Sequence, residues 1–437
     1  MEKLYLGVAR EIITPPLGAQ LYGYKPDFYF ANEIEDDLTL TAFYFKQGDK
    51  QALMVSITVC LIQTELAESI LDMIAQKFGI PQENCMLSAT HTHSGPNTAG
   101  EAGWGDIDRE YCESIFIPKI LSAVEKALSN TQIVKMGSAV GTSLVGINRR
   151  EMNLNNDVFL GQNPWGCFNP KMTVISFINE KGEKVANIIH YGAHGTAAGG
   201  NFEVTRDWSG IMVDALESLS GVVTAFFNGP EGDVGPRISN QQTIGNLKYV
   251  RELGGVAAQD AVRIYKQIIS HTDVDLAVSK KTLELPLKKR IEEDRAKAML
   301  EEHEKANNNV NLSGLIGKHL REVVSSYEKG LPDEEFGRIE QTLIALGDIV
   351  FVSSPYEVFS EIGMRIDKEF NNKSVLMLSN TNGSEGYFVT QDALCRGGYE
   401  VLMFLYSHVQ PFVDNADIHY IKKTVEHVKS IEKESEK

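Results

Sequence analysis

The spacing of apolar residues in the first hundred positions predicts a strand, a helix and a second strand in succession. Residues 51–59 form an apolar run of strand length, and residues 85–90 form another. Between them, residues 64–78 carry apolar side chains at helical spacing, and Gly79 provides a helix stop. The apolar positions of this helix are Leu66, Ile70, Leu71 and Ile74. This order predicts a βαβ unit.

Four later apolar runs have strand character, and each ends shortly before a polar residue that could bind a metal or take part in catalysis. They end at residues 188–189, 225–227, 349–352 and 375–378. Ligands and catalytic groups of open α/β sheets gather at the carboxyl ends of strands. We therefore predict an α/β fold with a mixed β-sheet core flanked by helices, and one shared site at the carboxyl ends of the strands.

Residues 1–437 are predicted to form a single domain with a charged helical insertion near 288–332. The insertion opens on a run of charged residues and has an asparagine-rich break at 307–309. It is either a solvated helical excursion or a lid over the site. The tail after Ile421 is also charged, and we expect it to be an exposed helix.

Residues 88–96 read Ser-Ala-Thr-His-Thr-His-Ser-Gly-Pro and directly follow an apolar strand end. Side chains two positions apart point to one face of an extended backbone, so His91 and His93 are predicted to project to the same side. Two imidazoles on one face can supply a metal ligand and a proton carrier. They can also be a hydrogen-bonded polar pair at the end of a strand.

This segment resembles the zinc-site signature of the neutral/alkaline non-lysosomal ceramidases, zinc amidases that cleave the N-acyl bond of ceramide. Further matches follow in the family's order along most of the chain. They are Gly7–Pro16 with Gly23-Tyr24, Gly146–Arg149, Ala193–Thr196, Gly232–Pro236, Pro355–Glu357, Gly386–Thr390 and Tyr399-Glu400.

The resemblance implies a Zn²⁺ cofactor held by His91, His194, Glu357 and Tyr387, which match the positions of the family's ligands. Nitrogen and oxygen donors without thiolate suit zinc and leave room for a bound water. His190 ends the same predicted strand as His194 and is an alternative second imidazole. The His-Gly-Thr wording after Ala193 favours His194.

Three further residues are predicted to be catalytic. His93 would accept a proton from the attacking water and pass it to the leaving nitrogen. Arg149 and Tyr399, which match family positions close to the metal, would donate hydrogen bonds to the developing oxyanion. The alternatives are a surface salt bridge for Arg149 and a packed aromatic ring for Tyr399.

The chain also departs from the family. Where the family reads Gly-Asp-Val-Ser-Pro-Asn, residues 232–237 read Gly-Asp-Val-Gly-Pro-Arg. The family's active-site serine is therefore replaced by Gly235, and a cation stands at Arg237. We expect Asp233 and Arg237 to bind the substrate, and we expect that substrate to differ from ceramide, because a hydroxyl is lost and an anionic group could pair with Arg237. The length leads us to expect no C-terminal immunoglobulin-like domain.

The composition limits the classes of binding partner that we expect for this chain. With 42 Lys plus Arg against 59 Asp plus Glu, the net charge is -17 at pH 7, which disfavours nucleic acid and anionic membrane surfaces. No stretch approaches the roughly 20 apolar residues of a membrane-spanning helix, and the first residues lack the apolar core of a signal peptide. The five cysteines are scattered without a C-x-x-C pair, so we expect a reducing, cytoplasmic location.

These observations support one main hypothesis. The chain is a zinc-dependent amidohydrolase that uses metal-activated water to cleave an N-acyl bond in a small molecule more soluble than ceramide. Ceramide hydrolysis itself is one alternative, and a non-catalytic relative whose zinc site only binds a ligand is another. The proton carrier His93 favours an enzyme, because pure binding does not require one.

Overall fold

The computed structural model describes residues 2–24, 29–306 and 308–435. Its strands are β1 (Tyr5–Ile12), β2 (Glu33–Ile34), β3 (Thr39–Gln47), β4 (Lys50–Ile57), β5 (Cys85–Ala89), β6 (Gln132–Thr142), β7 (Gly146–Asn148), β8 (Arg150–Met152), β9 (Val158–Leu160), β10 (Lys171–Asn179), β11 (Lys184–Tyr191), β12 (Glu203–Val204), β13 (Thr224–Asn228), β14 (Val234–Pro236), β15 (Leu276–Pro286), β16 (Phe336–Leu346), β17 (Ile349–Ser353), β18 (Glu357–Val358), β19 (Ser374–Leu378) and β20 (Tyr387–Phe388). Its α-helices are α1 (Thr64–Phe78), α2 (Arg109–Tyr111), α3 (Ile117–Ser129), α4 (Asp207–Ser220), α5 (Leu247–Tyr265), α6 (Glu293–Ala306), α7 (Leu312–Glu328), α8 (Ser360–Lys368), α9 (Gln391–Arg396), α10 (Tyr399–Tyr406) and α11 (Ala416–Ser435).

Two mixed sheets form the centre of the fold. The larger sheet has eight strands in the order β13-β11-β10-β6-β1-β3-β4-β5. Its β4–β5 and β11–β13 pairs are parallel, and the other pairs are antiparallel. The smaller sheet has the order β15-β16-β17-β19, with β17 and β19 parallel. The predicted α/β class with a mixed sheet is confirmed.

The two sheets pack face to face, because alternate residues along their strands are apolar. Phe43 and Phe45 of β3 meet Phe351 of β17 in one buried cluster between the sheets. Helices α1 and α3 cover the outer face of one half of the large sheet, and α4 and α5 cover the other half. Helices α8, α10 and α11 cover the outer face of the smaller sheet. The result is a layered α-β-β-α arrangement in which burial of each phenylalanine contributes about 1.5–3 kcal/mol.

The predicted βαβ unit is present. Helix α1 has the predicted bounds, and Gly79 ends it in the left-handed conformation with φ 68°. Its N–H donates to the carbonyl of Ala75, as in a regular glycine C-cap. Strand β5 lies parallel to β4 and ends at Ala89, one residue earlier than predicted.

The predicted insertion forms the helical hairpin α6–α7, while residue 307 in its predicted break lies outside the described residues. Helix α6 is largely exposed, but the start of α7 contacts the glycine-rich loop of residues 100–105. The N–H of Asn311 donates to the carbonyl of Gly103 at 2.7 Å. A Cβ atom at Gly103, where φ is 94°, would lie only 2.1 Å from the carbonyl oxygen of Asn311. The insertion is thus seated on the loop that follows segment 88–96.

The prediction of an exposed C-terminal helix was wrong. Helix α11 begins before Ile421, and one of its faces packs against the smaller sheet. Tyr420, Val425 and Val428 on that face are buried. The opposite face carries many charged residues, and for this reason the sequence analysis missed the apolar stripe. Among the described residues, no helix has both the length and the apolar character needed to cross a membrane.

Candidate active site

His91 and His93 lie just beyond the carboxyl end of β5. The predicted extended geometry was wrong here, because His91 has a left-handed backbone with φ 67°. The two side chains nevertheless meet, with their Nε2 atoms 3.2 Å apart. A left-handed backbone is uncommon for residues other than glycine, and strained backbone of this kind clusters at functional sites. The tight turn, rather than the pleat of a strand, brings the imidazoles together.

Backbone carbonyls fix the orientation of two buried imidazoles. Nδ1 of His91 donates to the carbonyl of Cys60 at 3.0 Å. Nδ1 of His194, a residue that follows β11, lies 2.9 Å from the carbonyl of Glu231 and 3.1 Å from that of Val234. A carbonyl oxygen can only accept, so Nδ1 carries the proton in both rings. The Nε2 atom of each ring is left with its lone pair facing the site.

Glu357 closes this cluster. Strand β18 lies parallel to β20, so that Glu357 stands in register with Tyr387. Oε2 of Glu357 lies 3.0 Å from Nε2 of His194 and 3.4 Å from Nε2 of His91. This oxygen is buried and has no hydrogen-bond donor among the described residues. Three acceptor atoms that face one another without a donor fit a metal cation.

The charges in the cluster support the same interpretation. Burial raises the pKa of Glu357, but the imidazoles of His91 and His194 lower it, and the net shift is to well below the usual range. Burial lowers the pKa of His194 to about 3, so this ring is neutral. Burial also lowers the pKa of His91, whereas Cys60 and Glu357 raise it, and the net shift is upward. Without a metal, one proton on His91 balances the carboxylate, and a divalent cation can replace that proton.

A second possible ligand group overlaps with the first. Cys60, His91 and His93 bring ligand atoms within 4.8 Å of one another, as do His91, His194 and Glu357. Burial raises the pKa of the Cys60 thiol. Because a thiol ligates metal as the thiolate, the group that contains Glu357 is the better cation site.

Arg149 lies beside the cluster, immediately after β7. Its Nη2 donates to the hydroxyl of Tyr387 at 2.9 Å, and that hydroxyl lies 3.4 Å from Nε2 of His194. Its Nε donates to Glu400 at 2.9 Å, a buried carboxylate that also pairs with Arg150. The alternative of a surface salt bridge is therefore wrong, because the ion pair is buried. Glu400 holds the Arg149 guanidinium against the hydroxyl of Tyr387.

With this geometry established, comparison with known proteins identifies the family. The profile described as "Neutral/alkaline non-lysosomal ceramidase, N-terminal" matches residues 5–248, more than half of the 437-residue chain. The chain belongs to the neutral/alkaline non-lysosomal ceramidase family. Glu357, Tyr387 and Tyr399 lie beyond the residues that the profile matches, and the tertiary structure brings Glu357 and Tyr387 to the two imidazoles.

Two solved structures have the same fold as this ceramidase-family chain. A neutral ceramidase from Pseudomonas aeruginosa is similar with a TM-score of 0.75 and 18% sequence identity, over 97% of this chain and 74% of that one. A structure described as a ceramidase complexed with C2 is similar with a TM-score of 0.72 and 18% identity, over 99% of this chain and 76% of that one. The likeness extends over both sheets, well past the region that the family profile matches.

The structure places His194, rather than His190, in the cluster. His190 ends the same strand, but its Nε2 lies 2.9 Å from the carbonyl of Met377, outside the ligand group. Burial lowers the pKa of His190 to about 4, so the ring is neutral. His190 is thus a hydrogen-bonded core residue.

Asp233 and Arg237, which are predicted to bind substrate, each have contacts within the fold. Asp233 accepts hydrogen bonds from the backbone N–H and the hydroxyl of Ser360, at 2.7 and 3.1 Å. Arg237 lies over the ring of Phe168 and donates to the carbonyl of Gly146 at 3.3 Å. In the described part of the chain, neither side chain bonds to the cluster. The role of Asp233 and Arg237 in substrate binding stays a prediction.

Several supporting residues were missed by the sequence analysis. Glu400 belongs to the Tyr399-Glu400 motif, yet only its ion pairs with two arginines reveal its role. Asn380 donates to Glu231 at 2.7 Å and lies 3.3 Å from Nδ1 of His91. The carbonyl of Gly23 accepts from Nδ1 of His93 at 3.2 Å. The Gly23-Tyr24 match to the family was the available signal for this last contact.

Gly23 should be intolerant of any side chain. Its φ is 112°, and a Cβ atom there would lie 2.3 Å from Nδ1 of His93. Gly18 is a matched control, because its φ is 90° but no atom lies within 4 Å of the added Cβ. We expect Gly18→Ala to lower the free energy of unfolding by about 1–3 kcal/mol through backbone strain. Gly23→Ala should cost at least about 1 kcal/mol more through the collision. Urea denaturation of both variants measures this, and equal losses would contradict the packing of His93 on Gly23.

Proposed function

We propose that this chain is a zinc-dependent amidohydrolase that cleaves an N-acyl bond in a small molecule more soluble than ceramide. The convergence of two imidazole nitrogens and a carboxylate oxygen, beside a third histidine and a buried arginine, carries the proposal. Membership in the ceramidase family and the shared fold support hydrolysis of an amide bond.

His91, His194 and Glu357 would hold the zinc ion, with the hydroxyl of Tyr387 as the fourth ligand. Two imidazole nitrogens and two oxygen donors form a set of ligands that suits zinc. A set that includes a thiolate would fit this buried site less well. When bound, zinc supplies Lewis-acid chemistry, since it polarises a carbonyl and lowers the pKa of water to about 7. The carbonyls of Cys60 and Glu231 keep Nε2 of each imidazole free for this purpose.

His93 is the proposed proton carrier. Its Nδ1 donates to the carbonyl of Gly23, so its Nε2 can accept a proton beside the cluster. Amide hydrolysis adds the hydroxyl group of water to the acyl carbon and delivers protons to the nitrogen as the C–N bond breaks. A single imidazole that accepts the first proton and donates it to the amine serves both steps.

Arg149 and Tyr399 are the proposed donors to the oxyanion. The guanidinium of Arg149 is already fixed by Glu400, so little reorganisation is needed when negative charge develops on the carbonyl oxygen. The ring of Tyr399, at the start of α10, lies 5.8 Å from the ring of Tyr387. This proximity to the proposed ligand Tyr387 supports a role for the Tyr399 hydroxyl group as a donor to the oxyanion.

The preference for a more soluble substrate rests on Gly235. Its φ is not positive, so the backbone does not require glycine there. A Cβ atom would instead lie 2.9 Å from Cγ2 of Thr243 and 3.3 Å from Cβ of Arg149. Thr243 thus fills the space that the family's serine would need, and a hydroxyl next to Arg149 is lost. Arg237 is packed against Phe168, so the proposed substrate is characterised by its solubility and not by a negative charge.

The metal assignment predicts about one zinc per chain in the purified protein. His91→Ala or His194→Ala should lose it, because each change removes one of the four donors. His190→Ala is the matched control, since it deletes a buried imidazole from the same strand but outside the cluster, and should keep the zinc. Plasma mass spectrometry of the folded variants measures this. Zinc kept by His194→Ala but lost by His190→Ala would reverse the assignment.

The proton-carrier role predicts that His93→Ala keeps its zinc and loses turnover by roughly 100-fold. The reason is that His93 would act on the water and the leaving amine without holding the metal tightly. Zinc content and the rate of amine release are measured on the same sample. Loss of zinc from this variant would make His93 a ligand instead.

Substrate choice is tested with micellar ceramide against a panel of short N-acyl amino sugars and N-acyl amino alcohols. The loss of one neutral hydrogen bond costs about 1 kcal/mol, roughly fivefold in rate, so ceramide should be a poorer substrate than the soluble compounds. The double variant Gly235→Ser/Thr243→Ala makes room for the hydroxyl and should shift the preference towards ceramide. Efficient cleavage of ceramide alone would establish ceramide as the substrate. No turnover of any compound by the zinc-loaded protein would favour a ligand-binding relative.

A further inference from the structure

The side chains of the candidate site differ in their access to solvent. The four proposed metal ligands and Arg149 are buried, whereas His93 and Tyr399 are partly exposed. Glu101, a residue without a role in the proposed chemistry, is also partly exposed. A substrate has to enter from solvent, so these three partly exposed side chains indicate the entrance side of the site.

Glu101 is held in place by its own loop, which directly follows segment 88–96. Oδ1 of Asn97 accepts hydrogen bonds from the backbone N–H groups of Ala99 and Gly100, at 3.1 and 2.9 Å. The N–H of Trp104 donates to the carbonyl of Glu101 at 2.9 Å. Together with the seating of α7 on Gly103, these contacts give the Glu101 side chain a defined position.

The carboxylate of Glu101 has a hydrogen-bond donor but, among the described residues, no ion-pair partner. The hydroxyl of Tyr22 donates to it at 2.7 Å. Glu101 has no ion-pair partner within the described ranges, and Lys318 of α7 pairs with Glu322 instead. Tyr22 belongs to the same buried cluster as Cys60, whose carbonyl orients His91. Tyr22 also directly precedes Gly23, whose carbonyl accepts from Nδ1 of His93, so Glu101 is linked through Tyr22 to the backbone that orients the proposed proton carrier.

The electrostatics agree with this position. Burial raises the pKa of Glu101 to about 7, and the negative charge of Glu357 acts in the same direction. The pKa of Tyr399 is raised first by burial and then by the charges of Glu101 and Glu357. Glu101 and Tyr399 are thus close enough for the charge of one to act on the other. The hydrogen bond from Tyr22 and the more distant charge of Lys318 act in the opposite direction and lower the pKa of Glu101.

We propose that Glu101, together with Tyr22, forms the subsite for the amine half of the substrate and recognises a hydroxylated amine through its O–H and N–H donors. This inference rests on the proposed amide hydrolysis. A carboxylate accepts hydrogen bonds from hydroxyl and ammonium groups, and such charge-assisted bonds are about twice as strong as neutral ones. The same carboxylate disfavours an apolar acyl chain and repels the carboxylate that hydrolysis releases. The substrate is therefore oriented with its amine towards Glu101 and its acyl group away from it.

The first test is binding of released-amine analogues to the zinc-loaded protein by titration calorimetry. The probes are serinol (2-amino-1,3-propanediol), isopropylamine, which lacks the hydroxyls, and glycerol, which lacks the charge. Wild type should bind serinol roughly tenfold more tightly than either of the others. Glu101→Gln keeps the shape of the side chain and should reduce this preference to within about twofold. No preference for serinol in the wild type would overturn the proposal, and so would a preference that survives in Glu101→Gln.

Glu340→Gln is the matched control for the loss of charge. The Glu340 carboxylate also accepts a side-chain hydroxyl, from Thr282, but it lies on β16 in the smaller sheet. This variant should retain the wild-type preference for serinol. A similar loss in Glu340→Gln would show that net charge, rather than the position of Glu101, controls amine binding.

The second test is kinetic and uses the N-acetyl derivatives of serinol and isopropylamine. In Glu101→Gln, KM for N-acetylserinol should rise roughly tenfold while kcat stays within about twofold, because Glu101 would contribute to binding and not to proton transfer. KM for N-acetylisopropylamine should change little. If no amide is hydrolysed but the calorimetric preference disappears in Glu101→Gln, the proposed function fails while the amine subsite stands. If both amides are hydrolysed and Glu101→Gln changes neither KM nor serinol affinity, the subsite fails alone.

Discussion

The convergence of Nε2 of His91, Nε2 of His194 and Oε2 of Glu357 is the interaction on which the rest of the site depends. All three atoms are acceptors, and all three are buried. A buried carboxylate oxygen without a donor, such as Oε2 of Glu357, is unfavourable unless a proton or a cation lies beside it. The carbonyls of Cys60 and Glu231 accept hydrogen bonds from Nδ1 of the two rings. Each neutral imidazole therefore carries its proton on Nδ1 and leaves Nε2 as an acceptor. The cluster is therefore built to hold positive charge at one point.

The layered fold brings together residues that are far apart in the chain. His91 and His194 follow two strands near opposite ends of the large sheet, β5 and β11. Glu357 and Tyr387 come from β18 and β20, a separate two-stranded sheet whose strands follow β17 and β19 along the chain. The N–H of Ala89 donates to the carbonyl of Asn380, which ties the end of β5 to the segment after β19. The aromatic core between the sheets fixes their spacing, so the geometry of the cluster depends on packing some distance from it.

Burial divides the site into an inner and an outer part. The proposed ligands and the Arg149–Glu400 ion pair are shielded from water, where fixed charges and dipoles act most strongly on a reacting group. His93, Tyr399 and Glu101 have some access to solvent, as groups that meet substrate or exchange protons need. The α6–α7 insertion contacts the loop that carries Glu101. This contact places the insertion next to the outer part of the site.

Local pattern in the sequence determined those features that depend on neighbouring residues. Helix α1 and its glycine stop, the βαβ unit and the strand ends before His91 and His194 follow from periodicity and backbone preference. The family resemblance supplied the candidate ligands. Only the tertiary structure decided the left-handed turn at His91, the exclusion of His190, the internal contacts of Asp233 and Arg237, and the buried pairing of Arg149 with Glu400. Each of these depends on the direction of a side chain or on a partner far along the chain, and residue spacing specifies neither.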